Sequence, residues 1–190
     1  QHHSSSHGGT TLQIEKVIED TAFNLLRLAV VQLPQDVKEA IYRAYKEEVS
    51  EAGKVQLEAI VKDIELAEKD NTPLCQDTGV IIFYVKAGAH AKDLDKIEIA
   101  LINATKRATK EVPLRPNAVD PFTGKNTGDN TGRFIPYINW EITNGDTIEI
   151  TAFPKGGGSE NTCTLGMITP GEGVKGLKKF VIDAVIKAGA

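Results

Sequence analysis

The chain has 190 residues, of which 41% are apolar and 25% charged, and a formal net charge of −4. This is enough length and apolar content for a domain with a sizeable core, and it excludes a disordered polymer. Lysines and arginines are scattered among acids, so no basic stripe points to nucleic acid, and apolar runs such as Leu28 to Val31 and Val80 to Val85 fall far short of a bilayer span.

Residues 1–10, with His2, His3, His7 and three consecutive serines, read as a tag remnant, which leaves 11–190 as a single expected domain. His90 is then the only remaining histidine. Any Cys/His or Ser/His/Asp arrangement would have to use it, yet Gly88-Ala89-His90-Ala91-Lys92 reads as an exposed connection. Ile14, Val17, Ile18, Ala22, Leu25, Leu26 and Ala29 recur at helical spacing and predict a helix over about 12–33, ended by Pro34. Val37, Ile41, Ala44 and Tyr45 mark a second helix, and Leu57, Ile60, Val61, Ile64 and Ala67 a third that runs toward Asp70.

Leu74-Cys75-Gln76-Asp77-Thr78-Gly79 comes next and opens directly into Val80-Ile81-Ile82-Phe83-Tyr84-Val85, whose β-branched and aromatic content predicts a buried strand. A cysteine beside a carboxylate at a strand's mouth is a candidate reactive site. Leu94, Ile97, Leu101, Ala104 and Ala108 place a fourth helix over about 92–111. The segment from Pro113 to Gly132, which contains Arg115 and several asparagines, is too long for a casual turn and is a candidate functional loop. Tyr137 to Thr143 and Thr147 to Ala152 alternate around Asn144-Gly145, the signature of a β-hairpin.

The second of those strands delivers Pro154 and then Lys155-Gly156-Gly157-Gly158-Ser159-Glu160-Asn161. Three glycines leave the backbone free to take positive φ and let an anion approach the amides, and Lys155 adds a cation, so this stretch suits a carboxylate or phosphate; the alternative is a plain flexible connection. Cys163, in Asn161-Thr162-Cys163-Thr164-Leu165, reads as a small buried thiol. Two cysteines cannot complete a four-ligand thiolate site, so a thiolate-bound metal would need ligands from outside. Val174, Leu177, Phe180, Val181, Ala184 and Val185 give a closing helix after Pro170-Gly171. A helical first third followed by mixed strands and helices makes the expected fold class α+β.

Three motifs, Cys75-Gln76-Asp77-Thr78-Gly79, Asn126-Thr127-Gly128-Asp129-Asn130-Thr131 and Lys155 to Asn161, in this order and spacing, resemble the class I, iron-sulfur-dependent fumarate hydratase and L-tartrate dehydratase group, in its alpha subunit or equivalent N-terminal domain. The resemblance covers essentially all of the chain after the tag. It implies a reversible hydro-lyase that hydrates fumarate to (S)-malate, or alternatively an L-tartrate dehydratase, with a [4Fe-4S] cluster acting as Lewis acid. It assigns Cys75 to the cluster and Gln76, Asp77, Arg115, Lys155, Gly157 and Gly158 to the dicarboxylate substrate, with Asp77 also exchanging a proton. In the family the second cluster cysteine lies in a Pro-Cys-Pro-Pro stretch beyond the helix that here reaches Ala188-Gly189-Ala190, and a third lies further on. The expectation is therefore a piece of a larger enzyme that is inactive and cluster-free alone, partnered by a beta subunit or C-terminal domain, homo-oligomeric when assembled, and cytoplasmic. An anion-binding domain without chemistry is the reading from a different class.

Overall fold

A computed structural model describes residues 7–189, with side chains described from Gln13 onward. Residues 1–6, part of the segment read as a tag, lie outside the described residues. The fold is α+β and divides into two compact units, the first ending at Lys155 and the second starting at Gly156.

In the first unit α1 (His7–Val31) presents Ala22, Phe23, Leu26 and Val31 to the core and stops just before Pro34, which has no amide proton to donate. Helix α2 (Gln35–Glu47) and helix α3 (Glu51–Asp70) lie against each other through Lys38–Glu68 at 2.6 Å and Tyr42–Glu65 at 3.0 Å. Ser50 caps α3 by accepting the Gly53 amide, and Asn71 ends it in the left-handed region at φ 54°. Helix α4 (Leu94–Glu111) buries a stripe of Ile97, Leu101, Ala104 and Ala108 and packs along α1, where the Arg107 guanidinium lies 4.0 Å over the Phe23 ring and pairs with Asp20.

The sheet has three strands in the order β2-β1-β3, with β1 (Val80–Gly88) central, parallel to β2 (Tyr137–Thr143) and antiparallel to β3 (Ile148–Lys155). Ile81, Phe83, Val85 and Ala87 alternate onto the face covered by α1 and α4 and are at most 1% exposed, joined there by Ile138, Ile148, Ile150 and Ala152. Each large side chain buried this way contributes about 1.5–3 kcal/mol.

The hairpin expected around Asn144-Gly145 does not form. Its two strands exist, but β1 is inserted between them, and the connecting residues pass over the end of β1 and accept its amides: Ala89 to the Thr143 carbonyl at 2.8 Å, His90 to Gly145 at 2.9 Å and Gly88 to Thr147 at 2.8 Å. The reason is tertiary. At the edge, the most apolar strand would leave one row of amides and carbonyls unpaired, whereas the centre pairs both rows. Gly88 makes the crossing possible, since a Cβ there would sit 2.4 Å from the Gly145 carbonyl oxygen. His90 is exposed, as its sequence context suggests.

The second unit contains the short helix α5 (Gly157–Asn161), a 3₁₀ turn (Pro170–Glu172) boxed by Thr169 and Glu172, and α6 (Gly173–Ala188), which closes at Gly189 with φ 94°. Within it the Phe180 ring lies against Gly166, where any side chain would collide with it.

We expect Gly88→Ala to destabilise the first unit by about 1–3 kcal/mol in urea unfolding, because the obstacle is backbone that belongs to a paired loop. Gly158→Ala, where an added Cβ meets nothing within 4 Å, is the matched control and should be close to neutral. Equal stability of the two variants would contradict the crossing as described.

Candidate functional site

The Cys75 to Gly79 segment follows α3 and leads directly into the start of β1. The Leu74 amide donates to the Val30 carbonyl at 2.9 Å, which anchors the segment on α1. Asp77 then folds its carboxylate back onto the Gly79 amide at 3.1 Å, an Asx-type turn that Gly79 completes at φ 81°. Thr78 is 6% exposed, and its hydroxyl accepts the Arg115 amide at 2.9 Å. The residue next to Asp77 therefore fixes the backbone of Arg115.

Two asparagines complete the framework. Asn130, 1% exposed and held at φ 59°, accepts the Asn117 amide at 2.7 Å and donates to both the Arg115 carbonyl and the Thr109 hydroxyl at 3.0 Å. Asn117 donates its side-chain amide to Asp77 Oδ1 at 3.2 Å and to the Gly79 carbonyl at 3.1 Å. Asn126 bonds the Pro116 carbonyl at 2.9 Å and receives the Gly128 amide at 2.8 Å. The loop from 113 to 132 is thus pinned at both ends to the Asp77 turn and to the last turns of α4.

Asp129 lies in the same loop. Burial by itself would raise its carboxyl, but the hydroxyl and amide of Thr131, the Thr127 hydroxyl and the charge of Lys106 outweigh that and hold its pKa below the ordinary aspartate value.

Cys75, Asp77 and Thr78 share a cavity of about 140 Å³ with Ala29, Val30, Leu74 and Pro154. This is below the roughly 300 Å³ at which ordinary ligand pockets begin, so these residues supply at most one wall of a ligand site. Lys155 reaches the same end of the sheet, because it is the ladder partner of Val80. A larger cavity of about 470 Å³, between Val119, Phe122 and Arg133, brings no cysteine to its lining.

Of the residues singled out in the sequence, the first unit gathers Cys75 (exposed), Gln76 (exposed), Asp77 (half-buried), Arg115 (exposed) and Lys155 (half-buried) around the N-terminal end of β1. Gly157 and Gly158 belong to the second unit. There the expected positive-φ loop is instead a helical turn: Gly156 caps it at φ −66°, the Glu160 amide donates to the Gly156 carbonyl and Thr162 to Gly158 at 3.3 Å, and the Ser159 hydroxyl turns back to Gly156 at 2.9 Å. These local bonds outweigh the freedom glycine offers. Cys163 is exposed, contrary to the buried thiol expected, with its Sγ 3.3 Å from the Ser159 carbonyl.

Thr78 and Asn130 lie inside two of the three sequence motifs with no signal of their own as holding groups, and Asn117 lies outside all three, since polar residues in a long loop resemble solvated ones until their partners are known. A four-iron cluster requires several thiolates, and among the described residues no group of three or more His, Cys, Asp or Glu could hold a metal. Cys75, exposed at the cavity rim, fits such a group as a single ligand.

A family model described as fumarate hydratase (Fumerase) matches residues 19–190. The chain belongs to that family. It is 44% identical over 176 residues to a Methanocaldococcus jannaschii protein provisionally given as an L(+)-tartrate dehydratase subunit alpha, a match over 90% of this chain and 62% of that protein. It is 35% and 34% identical over 177 residues to the L(+)-tartrate dehydratase subunit alpha of Escherichia coli strains UTI89 and K12, over 90% of this chain and 57% of each relative. The chain thus spans less than two thirds of these relatives. Among the described residues no helix is long and apolar enough to cross a membrane.

Asn130→Ala should cost about 2–4 kcal/mol of stability, since it removes the partner of the part-buried Asn117 amide and one donor each from the Arg115 carbonyl and the buried Thr109 hydroxyl, and places alanine in the left-handed region; chemical denaturation measures it. The lowered Asp129 pKa has a defined sign. Its stabilising contribution is complete above the unfolded-state value and is lost as pH falls through the folded-state value. Asp129→Asn should therefore lower stability at neutral and alkaline pH, where the contribution is complete, and flatten the acid limb so that the two profiles converge at low pH; an unchanged acid limb would refute this.

Proposed function

We propose that this chain is the alpha-type part of a hydro-lyase that reversibly hydrates fumarate to (S)-malate. The observation that carries the reading is the bonded framework in which Thr78 and Asn117 tie the Asp77 carboxylate and the Arg115 backbone together beside Cys75. A [4Fe-4S] cluster held by Cys75 and by thiolates from outside this chain would supply Lewis-acid chemistry.

The chain's own residues have separate tasks in this reading. Arg115 pairs a substrate carboxylate through its guanidinium fork, and Lys155 adds a second cation at the same end of the sheet. Gln76 donates a hydrogen bond to the substrate, and Gly157 and Gly158, in the second unit, are the backbone positions that the family resemblance assigns to a substrate carboxylate. Asp77 exchanges a proton with the substrate hydroxyl oxygen that leaves or enters as water. The remaining groups come from a beta subunit or C-terminal domain, in a homo-oligomeric, cytoplasmic assembly.

A second reading, L(+)-tartrate dehydration, is favoured by the names of the relatives. Tartrate carries one hydroxyl more than malate. Anaerobic assay of the complete enzyme on fumarate and on L(+)-tartrate decides between the two, and turnover of neither, with dicarboxylate binding retained, would leave an anion-binding domain.

In that enzyme Asp77→Asn keeps size and turn geometry, and should retain cluster loading while turnover falls by roughly 10² to 10⁴-fold. Arg115→Ala should weaken dicarboxylate binding by about 1.5–3 kcal/mol with the fold intact. Near-normal turnover in the first, or an unchanged Michaelis constant in the second, removes that residue from the site. The isolated chain should bind less than stoichiometric iron and sulfide, and a brown preparation loaded with four irons would contradict the single-ligand assignment of Cys75.

A further inference from the structure

Asn117 is the residue through which the two halves of the candidate site meet. Its side-chain nitrogen faces two acceptors, Asp77 Oδ1 at 3.2 Å and the Gly79 carbonyl at 3.1 Å, so the orientation of the amide is unambiguous and both of its N–H groups are in use. The same Oδ1 receives the Gly79 amide at 3.1 Å. One carboxylate oxygen is thereby held by two donors, and the plane of the carboxylate is set relative to the turn. At its backbone Asn117 donates to the buried Asn130 at 2.7 Å, and Asn130 also grips the Arg115 carbonyl, so the amide that holds Asp77 is carried by the segment that bears Arg115.

We propose that Asn117 is a positioning residue that fixes the Asp77 carboxylate in register with the Arg115 segment. This rests on the reading above, in which Asp77 handles the proton. Loss of the Asn117 amide removes one of the two donors on Oδ1 and loosens the Asx turn, and misplacement of a reacting group by a fraction of its working distance slows chemistry more than it weakens binding. Like-charge substitution makes the point more sharply: Asn117→Asp removes both donors and sets a second carboxylate against the first.

The test has two arms. In the complete enzyme, Asn117→Ala should lower kcat by about ten- to a hundredfold with KM changed by less than about twofold, and Asn117→Asp should lower it further. In an Asp77→Asn background the same Asn117→Ala change should cost almost nothing more, because the group it positions no longer exchanges a proton. A loss of equal size in both backgrounds, or none in either, overturns the proposal and leaves Asn117 a structural staple.

The second arm needs no cluster and uses this chain. Amide hydrogen exchange at Gly79 should accelerate by about tenfold or more in Asn117→Ala, while exchange at Phe83 and Val85 in the centre of β1 stays unchanged. Unchanged exchange at Gly79 also overturns the proposal. If Asp77→Asn by itself turns over normally, the proton-handling reading fails, and the exchange arm still decides whether Asn117 holds the Asp77 turn.

Discussion

The central position of β1 is the constraint on which the first unit depends. With β2 on one edge and β3 on the other, its backbone groups are consumed on both sides, and its inner face carries Ile81, Phe83 and Val85 into the layer formed by α1 and α4. The candidate site residues of this unit gather at the N-terminal end of β1. At the C-terminal end Gly88 lets the residues joining β2 and β3 pass over the strand. At the N-terminal end the chain arrives from Asp77 through Gly79, and the antiparallel register brings Lys155 opposite Val80. A shift of one residue in that register would turn Phe83 out of the core, so the pairing that fixes the core also fixes the place of Lys155.

Around that end the holding groups are mostly neutral. Thr78, Asn117, Asn126 and Asn130 bond to backbone and to one another over segments 10 to 40 residues apart in sequence. In the proposed reading neutral amides suit an anion site, because they can satisfy carbonyls and orient Asp77 without adding charge that would compete for the substrate. Asn130 shows what such a network demands: it is fully enclosed, lies in a left-handed conformation that asparagine tolerates better than most residues, and uses both ends of its amide. Loops of this length are usually mobile, and this one is secured by side-chain bonds in place of a ladder.

Family membership and geometry meet at Cys75. The wall it shares with Asp77 is small and open, and the chain accounts for 57% to 62% of the length of the relatives it matches. In the proposed reading a thiol at the rim of such a wall is one ligand to a group whose other ligands arrive from elsewhere, and Arg115 and Lys155 supply the cations that a dicarboxylate requires. A division of this kind places the orienting residues on a rigid element, here the mouth of the central strand, where positional error is least.

Much of the fold was legible in the residues themselves. Apolar spacing located the helices, and the β-branched run at 80–85 announced a buried strand, because amphipathic periodicity and β propensity are local properties. The candidate motifs were legible as patterns too: Cys75 two residues from Asp77 before a strand, Arg115 among prolines, a glycine run after another strand. Strand order was not, since Asn144-Gly145 favours a tight hairpin locally and only the burial of β1 and the absent side chain of Gly88 reverse that outcome. Nor was the conformation of the glycine run, where freedom to take positive φ went unused once helical hydrogen bonds were available. The sequence by itself determined which segments form and which chemistry they carry. Tertiary structure alone decided which of those segments touch, and so made Thr78, Asn117 and Asn130 into a framework, because a hydrogen bond between residues 40 apart leaves no trace in either residue's neighbours.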